Sequence, residues 1–273
     1  MIVRAHTGTA LAASLTAFLL VAAPSVAGAQ TPATNAPAAP PAAVVTAPAI
    51  PAPPASDPYW ALIGGYEWDT HGSSYGFFGP HYTHPFGSGN VAWTARVFGN
   101  YLRYEFSDTT KTTKVRAPGG SASVGLKFGT TNYFAVSAGP SVSWRKTTVK
   151  TNAGAENTTD ETRTGVNFGA DIYGNPTPKS NIQVLGNFNT ADKYSWGRVG
   201  AKVDVAPKVA VGGEVIAQGN TDIKSVQFGG LIEVRPASQM SLMFRAGYKR
   251  SSFDVGADKT GPYFGINFYK RLN

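Results

Sequence analysis

The sequence predicts an all-β protein, an antiparallel up-and-down transmembrane β-barrel of about twelve strands. Three observations carry that expectation. Apolar and polar residues alternate with period 2 through most of the chain after residue 59. The gaps between alternating segments differ in length on the two ends of the strands. The N-terminus reads as an export signal, and no later stretch reaches the ~18 apolar residues that a spanning helix needs.

The order along the chain begins with residues 1–29, read as a signal peptide. Arg4 supplies the positive start, residues 10–23 the apolar core, and Ala27-Gly28-Ala29 a small-x-small cleavage site. Residues 30–58 read as a linker with nine prolines, ten alanines and one charge, Asp57. Such a segment buries too little apolar surface to fold and favours extended polyproline conformations. Residues 59–273 are the barrel. Strands are expected near 60–69, 74–83, 91–106, 121–128, 133–149, 162–173, 182–190, 194–205, 209–218, 224–234, 240–251 and 261–269.

The alternation is clearest in the later strands. Val199, Ala201, Val203 and Val205 share one face, and Arg198, Lys202 and Asp204 the other. Leu242, Phe244 and Tyr248 oppose Arg245 and Lys249. A soluble sandwich and a membrane barrel both produce this pattern. Loop asymmetry favours the barrel. The third, fifth and eleventh gaps (107–120, 150–161 and 252–260) are long and polar, whereas the fourth and eighth (129–132 and 206–208) are tight. The seventh, 191–193, is short and breaks the trend. Trp60 and Trp68 lie on one face, roughly 20 Å apart along a tilted strand, close to the ~25 Å between interfacial aromatic girdles. In the third strand Arg96 and Arg103 differ in phase, which predicts a bulge near Gly99-Asn100 if both face inward. The last strand ends on Phe268 and Tyr269, followed by Lys270-Arg271-Leu272-Asn273.

Composition narrows the chemistry. There is no cysteine, so disulfides and thiolate metal sites are excluded. The net charge of +8 is scattered, without a basic run, so no nucleic-acid partner is expected. The phosphates of lipopolysaccharide are the better anionic partner, with Lys111, Lys114 and Arg116 placed in a long loop to meet them. His71, His81 and His84 cluster in sequence, but His81 and His84 are three apart on a strand and face opposite sides. No nucleophile elbow, zincin, P-loop or dinucleotide motif occurs, so no catalytic, cofactor or metal residue is assigned and no enzyme is expected. The inward charges Glu67, Asp69, Arg163, Asp171, Arg198, Lys202, Asp204, Glu214, Glu233, Arg245 and Lys249 mix signs, which points to pairing rather than a selectivity ring.

A succession of short motifs carries a family resemblance. Gly64-Gly65-Tyr66-Glu67-Trp68 and Tyr75-Gly76 open it, and Tyr173-Gly174-Asn175-Pro176-Thr177-Pro178 and Gly186-Asn187-Phe188-Asn189-Thr190-Ala191 follow. Tyr194-Ser195-Trp196-Gly197-Arg198, Gly212-Gly213-Glu214, Ala246-Gly247-Tyr248 and Gly261-Pro262-Tyr263-Phe264-Gly265 complete it. This succession resembles the cellulose biosynthesis protein family BcsS. The resemblance implies a small exported outer-membrane barrel of a Gram-negative bacterium, accessory to making or exporting cellulose or another exopolysaccharide. Cellulose or the cellulose-synthesis proteins are the partners it implies, beside outer-membrane lipid. If glucan touches the barrel, Trp196, Arg198, Lys202, Glu214, Glu233 and Arg245 are the candidate lumen contacts, by ring stacking and hydroxyl hydrogen bonds. A general porin, a lipid-modifying barrel enzyme and a secreted sandwich are the alternatives. Physically, the Asn-Pro-Thr-Pro run suits a periplasmic turn, because proline cannot donate to a ladder.

Overall fold

A computed structural model describes residues 57–87, 89–221, 223–253 and 257–272. The expected signal peptide and all but the last two residues of the expected linker lie outside them. Twelve strands follow one another: β1 (Tyr59–Asp69), β2 (Ser74–Phe86), β3 (Val91–Ser107), β4 (Lys111–Phe128), β5 (Tyr133–Thr151), β6 (Glu156–Thr177), β7 (Ser180–Asn189), β8 (Tyr194–Ala206), β9 (Val209–Gly219), β10 (Ile223–Ala237), β11 (Met240–Phe253) and β12 (Lys259–Arg271). Each pairs antiparallel with its neighbours in sequence, and β1 pairs with β12, so the sheet closes. Closure leaves no strand edge with unpaired backbone groups.

The period-2 patterns set the two faces. Trp68, Phe78, Val124, Phe134, Phe168, Phe228, Phe244 and Tyr248 are exposed on the outer wall, where a membrane meets them. Glu67, Arg198, Glu214, Gln227, Arg245 and Lys249 are buried on the inner one. Trp60 and Trp68 both face outward, as their spacing predicts. Around Trp60 the Tyr82 ring lies 4.8 Å away and itself meets Trp93 at 5.1 Å. At the opposite level Trp68 stacks on Phe264 at 5.8 Å. Two aromatic belts therefore bound the apolar wall.

Both chain ends of the barrel lie at the rim of tight turns, where the backbone N–H of Leu272 donates to the Trp60 carbonyl at 2.9 Å. The Asn-Pro-Thr-Pro run ends β6 at this rim, with a register shift between Gly174 and Thr177.

Two expectations are corrected. The third and fifth gaps are not long loops: β4 begins at Lys111 and β6 at Glu156, so only 108–110 and 152–155 lie between strands. The intervening polar residues continue the ladder, Arg103 opposite Arg116 and Lys146 opposite Asp160. Backbone pairing carries both hairpins: in β4 Thr113, Val115 and Ala117 stay buried on the inner face while Lys114, Arg116 and Pro118 are exposed, and in β6 both faces are exposed from Glu156 to Thr162. The expected bulge near Gly99-Asn100 is also absent. β3 keeps one register with β2 and β4 throughout, Arg96 faces inward and Arg103 outward.

Glycines on the inner face permit sharp bending of the sheet. A Cβ on Gly139 would run into the carbonyl oxygen of Ala122, and one on Gly247 into that of Phe228.

Candidate functional site: the barrel lumen

The inner face of β8–β12 and β1 carries most of the charge, and the charges meet one another. Glu214 on β9 sits at the centre. It accepts from Arg198 Nε at 2.7 Å, from the Tyr263 hydroxyl at 3.0 Å and from Arg245 Nη1 at 3.4 Å. Its side chain is 0% exposed and that of Arg245 5%. Arg198 also reaches the Met243 sulfur at 3.1 Å. One layer toward the loop rim, Glu67 accepts from Gln227 Nε2 at 2.6 Å and lies 3.5 Å from Arg245 and 3.9 Å from Lys249, which pairs with Asp69 at 3.1 Å. Nearer the tight-turn rim, Lys202 pairs with Glu233, and Arg235 bridges Glu233 at 3.4 Å and Asp204 at 2.9 Å. Buried ions persist only when paired and hydrogen-bonded.

Aromatic and apolar contacts close the same space. The Tyr75 ring on β2 stacks with Tyr194 on β8 at 6.3 Å. These strands are half the circumference apart in the closed order, so the contact crosses the lumen. The Tyr194 hydroxyl donates to Gln218 at 2.7 Å. Above it, Tyr104 and Val115 from β3 and β4 cluster with Ile223 and Phe253 from β10 and β11. The lumen is thus spanned by an apolar layer, an aromatic contact and ion pairs below.

The inner face of β3–β7 is different. At mid-height on β4–β6 it is lined by Ser121, Ser123, Gly125, Ser137, Gly139, Ser141 and Gly169, whereas β3 turns Phe98, Leu102 and Tyr104 inward. Its few large polar groups pair locally. Arg96 donates to Ser137, and Asp171 accepts from the Tyr133 hydroxyl at 3.0 Å. Lys127 lies 4.4 Å over the Tyr133 ring.

Of the candidate glucan contacts, Arg198, Glu214 and Arg245 form one cluster, and Lys202 and Glu233 a second. Trp196 is half-buried on the inner face of β8, between the levels of Tyr194 and Arg198, and belongs to neither cluster. Sequence reasoning missed Tyr75, Tyr194 and Tyr263 as lumen residues. Their inward parity was readable, but aromatic residues in a barrel are expected at the lipid face. The histidines separate as expected. His81 faces inward, His84 stacks on Trp93 outside at 5.8 Å, and His71 meets the Thr260 carbonyl at 3.0 Å. Lys111, Lys114 and Arg116 lie in strand β4 rather than in a loop. Lys111 falls on the inner parity, and Lys114 pairs with Glu105 at 3.5 Å.

A closed antiparallel barrel with an apolar, aromatic-belted exterior and a paired polar interior defines a membrane-spanning barrel of the outer-membrane type. A family model described as cellulose biosynthesis protein BcsS matches residues 62–272, and the chain belongs to that family.

Solved structures similar to the chain include the β domain of the Bordetella autotransporter Brka, at 11% identity over 78% of this chain and 98% of that one, TM-score 0.48. The KdgM porin is similar at 6% identity, over 78% and 99% of the chains, TM-score 0.43. The COG4313 outer membrane channel from Pseudomonas putida F1 is similar at 11% identity, over 78% and 95%, TM-score 0.38. No curated protein matches.

Proposed function

We propose that this protein is a closed, non-enzymatic outer-membrane barrel accessory to cellulose production, with its tight-turn rim and both ends of the barrel in the periplasm. The family supports the cellulose role. The contact between Tyr75 and Tyr194, from opposite sides of the barrel, carries the reading of a closed scaffold over a general porin. Short turns on one rim and taller hairpins on the other are the arrangement of barrels whose short turns are periplasmic.

In this reading Trp196, Arg198, Lys202, Glu214, Glu233 and Arg245 meet a glucan only if the lumen opens, because five of the six are engaged with their neighbours. Closure leaves the rims and the outer wall as the surfaces offered to the synthesis machinery.

The test is surface glucan, measured by dye binding and acid-resistant residue, in a deletion strain complemented with the wild-type gene or with Trp196→Ala. Lost or mislocalised glucan, restored by the wild type, is expected. Unchanged glucan in a strain that makes cellulose overturns the role, and full rescue by Trp196→Ala removes Trp196 from the contacts. In planar bilayers the purified barrel is expected to carry no steady ohmic current. A steady current puts the porin reading first.

A further inference from the structure

The outer wall of β3–β5 holds a feature that lumen closure does not use. In register across these strands stand Arg103, Arg116 and Lys146, all exposed and all facing outward. Neighbouring strands lie about 4.8 Å apart, so three cations occupy roughly 10 Å. Like charges directly opposite one another on a sheet repel. Among the described residues, no side-chain hydrogen bond or ion pair engages these three. The nearby carboxylates are few. Glu105 is paired with Lys114, and Asp160 stands opposite Lys146 at the end of the row.

The height of the row is set by what lies beneath it. Toward the tight-turn rim, the outward positions run from Tyr101 to Val91 on β3, from Pro118 to Phe128 on β4 and from Trp144 to Phe134 on β5, without a charge. Ten residues at ~3.3 Å, tilted about 40°, cover about 25 Å, the height of a barrel's apolar band. Tyr101 and Trp144, 37% and 51% exposed, form its upper aromatic edge. The cations come one inward–outward repeat higher, about 5 Å along the axis. That is headgroup level.

We infer that Arg103, Arg116 and Lys146 form a site for the phosphates of a phosphorylated glycolipid in the outer leaflet, with Tyr101 and Trp144 packed against the upper part of its acyl chains. Guanidinium groups match phosphate oxygens bidentately, and a phosphate relieves the repulsion within the row. The site keeps Arg116 of the three cations read from sequence but neither lysine, since Lys111 is on the inner parity and Lys114 already has its carboxylate. The inference rests on the outer-membrane placement proposed above.

The experiment uses the full chain purified in mild detergent and native mass spectrometry against bisphosphorylated lipid A and its dephosphorylated form. Folding is checked by heat-modifiable gel mobility, and location by membrane fractionation of the source cells. Preferential retention of the bisphosphorylated form is expected. Arg103→Gln/Arg116→Gln/Lys146→Gln should weaken it at least tenfold, while Lys224→Gln/Arg250→Gln, outward cations elsewhere, should not. Equal retention of both lipids, equal retention by the folded triple variant, or displacement of the lipid by equimolar inorganic phosphate overturns the inference. Wild-type protein found outside the outer membrane removes the placement itself. Outer-membrane protein without lipid preference removes only the site.

Discussion

The barrel has two walls built on different physics. β3–β6 run 17 to 22 residues each, and the other eight strands 10 to 15. The tall wall extends past the apolar band into water, is lined by serine and glycine at mid-height on β4–β6, and carries its ion pairs Glu105–Lys114 and Glu161–Arg163 at its exposed upper end. The short wall, from β8 round to β1, ends near the band and pairs the ions that face its interior, with Lys224 and Arg250 left on the outside. Both walls use carboxylate–cation pairs, but dielectric surroundings make them unequal. A pair in water gains little, because solvent screens it and ordering two side chains costs entropy. A buried pair adds little net stability as a pair, yet breaking it strands a charge in low dielectric.

The largest expected effect follows from that asymmetry. Glu214→Ala leaves Arg198 and Arg245 buried without their shared carboxylate, and should cost about 3 to 5 kcal/mol. Glu105→Ala breaks a pair whose lysine is 54% exposed, and should cost no more than about 1 kcal/mol. Urea unfolding of the barrel refolded in vesicles, followed by tryptophan fluorescence, measures both. Similar losses would mean that water reaches Glu214 and that its ion pairs are not buried as the structure has them.

A smaller effect sharpens the point at which the walls meet. Tyr75→Leu keeps apolar bulk but removes the ring contact with Tyr194, worth roughly 0.5 to 1.5 kcal/mol beyond area burial. Its stability change should be modest, and its signature should be electrical: intermittent conductance in bilayers where the wild type stays silent. A silent, fully stable variant would assign closure to the ion pairs and to the apolar layer of Tyr104, Val115, Ile223 and Phe253 alone.

The same contrast explains what was legible in the sequence. On the short wall, valine, phenylalanine and tyrosine alternate with arginine, lysine and glutamate because lipid and lumen impose opposite demands at every step. Strand order, faces and the inward charges therefore follow from pattern. On the tall wall the rule that charge points inward fails at Arg103, which stands above the band and faces water on the outer side. The segments 107–120 and 150–161 resemble loops because they are polar: in β6 both faces of 156–162 are exposed and leave no periodic trace, and in β4 the short alternation of Thr113, Val115 and Ala117 with Lys114, Arg116 and Pro118 stops at Gly119-Gly120. The partners in the lumen were not legible at all. Which inward residue meets which, as Tyr75 meets Tyr194 or Glu67 meets Gln227, depends on shear and curvature that no local pattern encodes.

The smallest expected effect lies at the top of the tall wall. Asp108, in the turn between β3 and β4, accepts from the Thr110 N–H at 2.7 Å, the Thr110 hydroxyl at 2.7 Å and the Lys111 N–H at 2.9 Å. These donors, led by the Thr110 amide, hold its carboxyl below the usual carboxylate range. A depressed folded value means that the stabilisation is present above the ordinary carboxylate value and is lost as pH falls through the lowered one. The Thr110 amide resonance should therefore titrate below the ~3.9 of a free aspartate, and Asp108→Ala should abolish that titration while lowering the urea midpoint less than Glu105→Ala does. A midpoint at or above the free value would mean that the turn is not formed as described. A drop in urea midpoint as large as that of Glu214→Ala would mean that this hydrated tip is coupled to the lumen, and the two walls would no longer be separable.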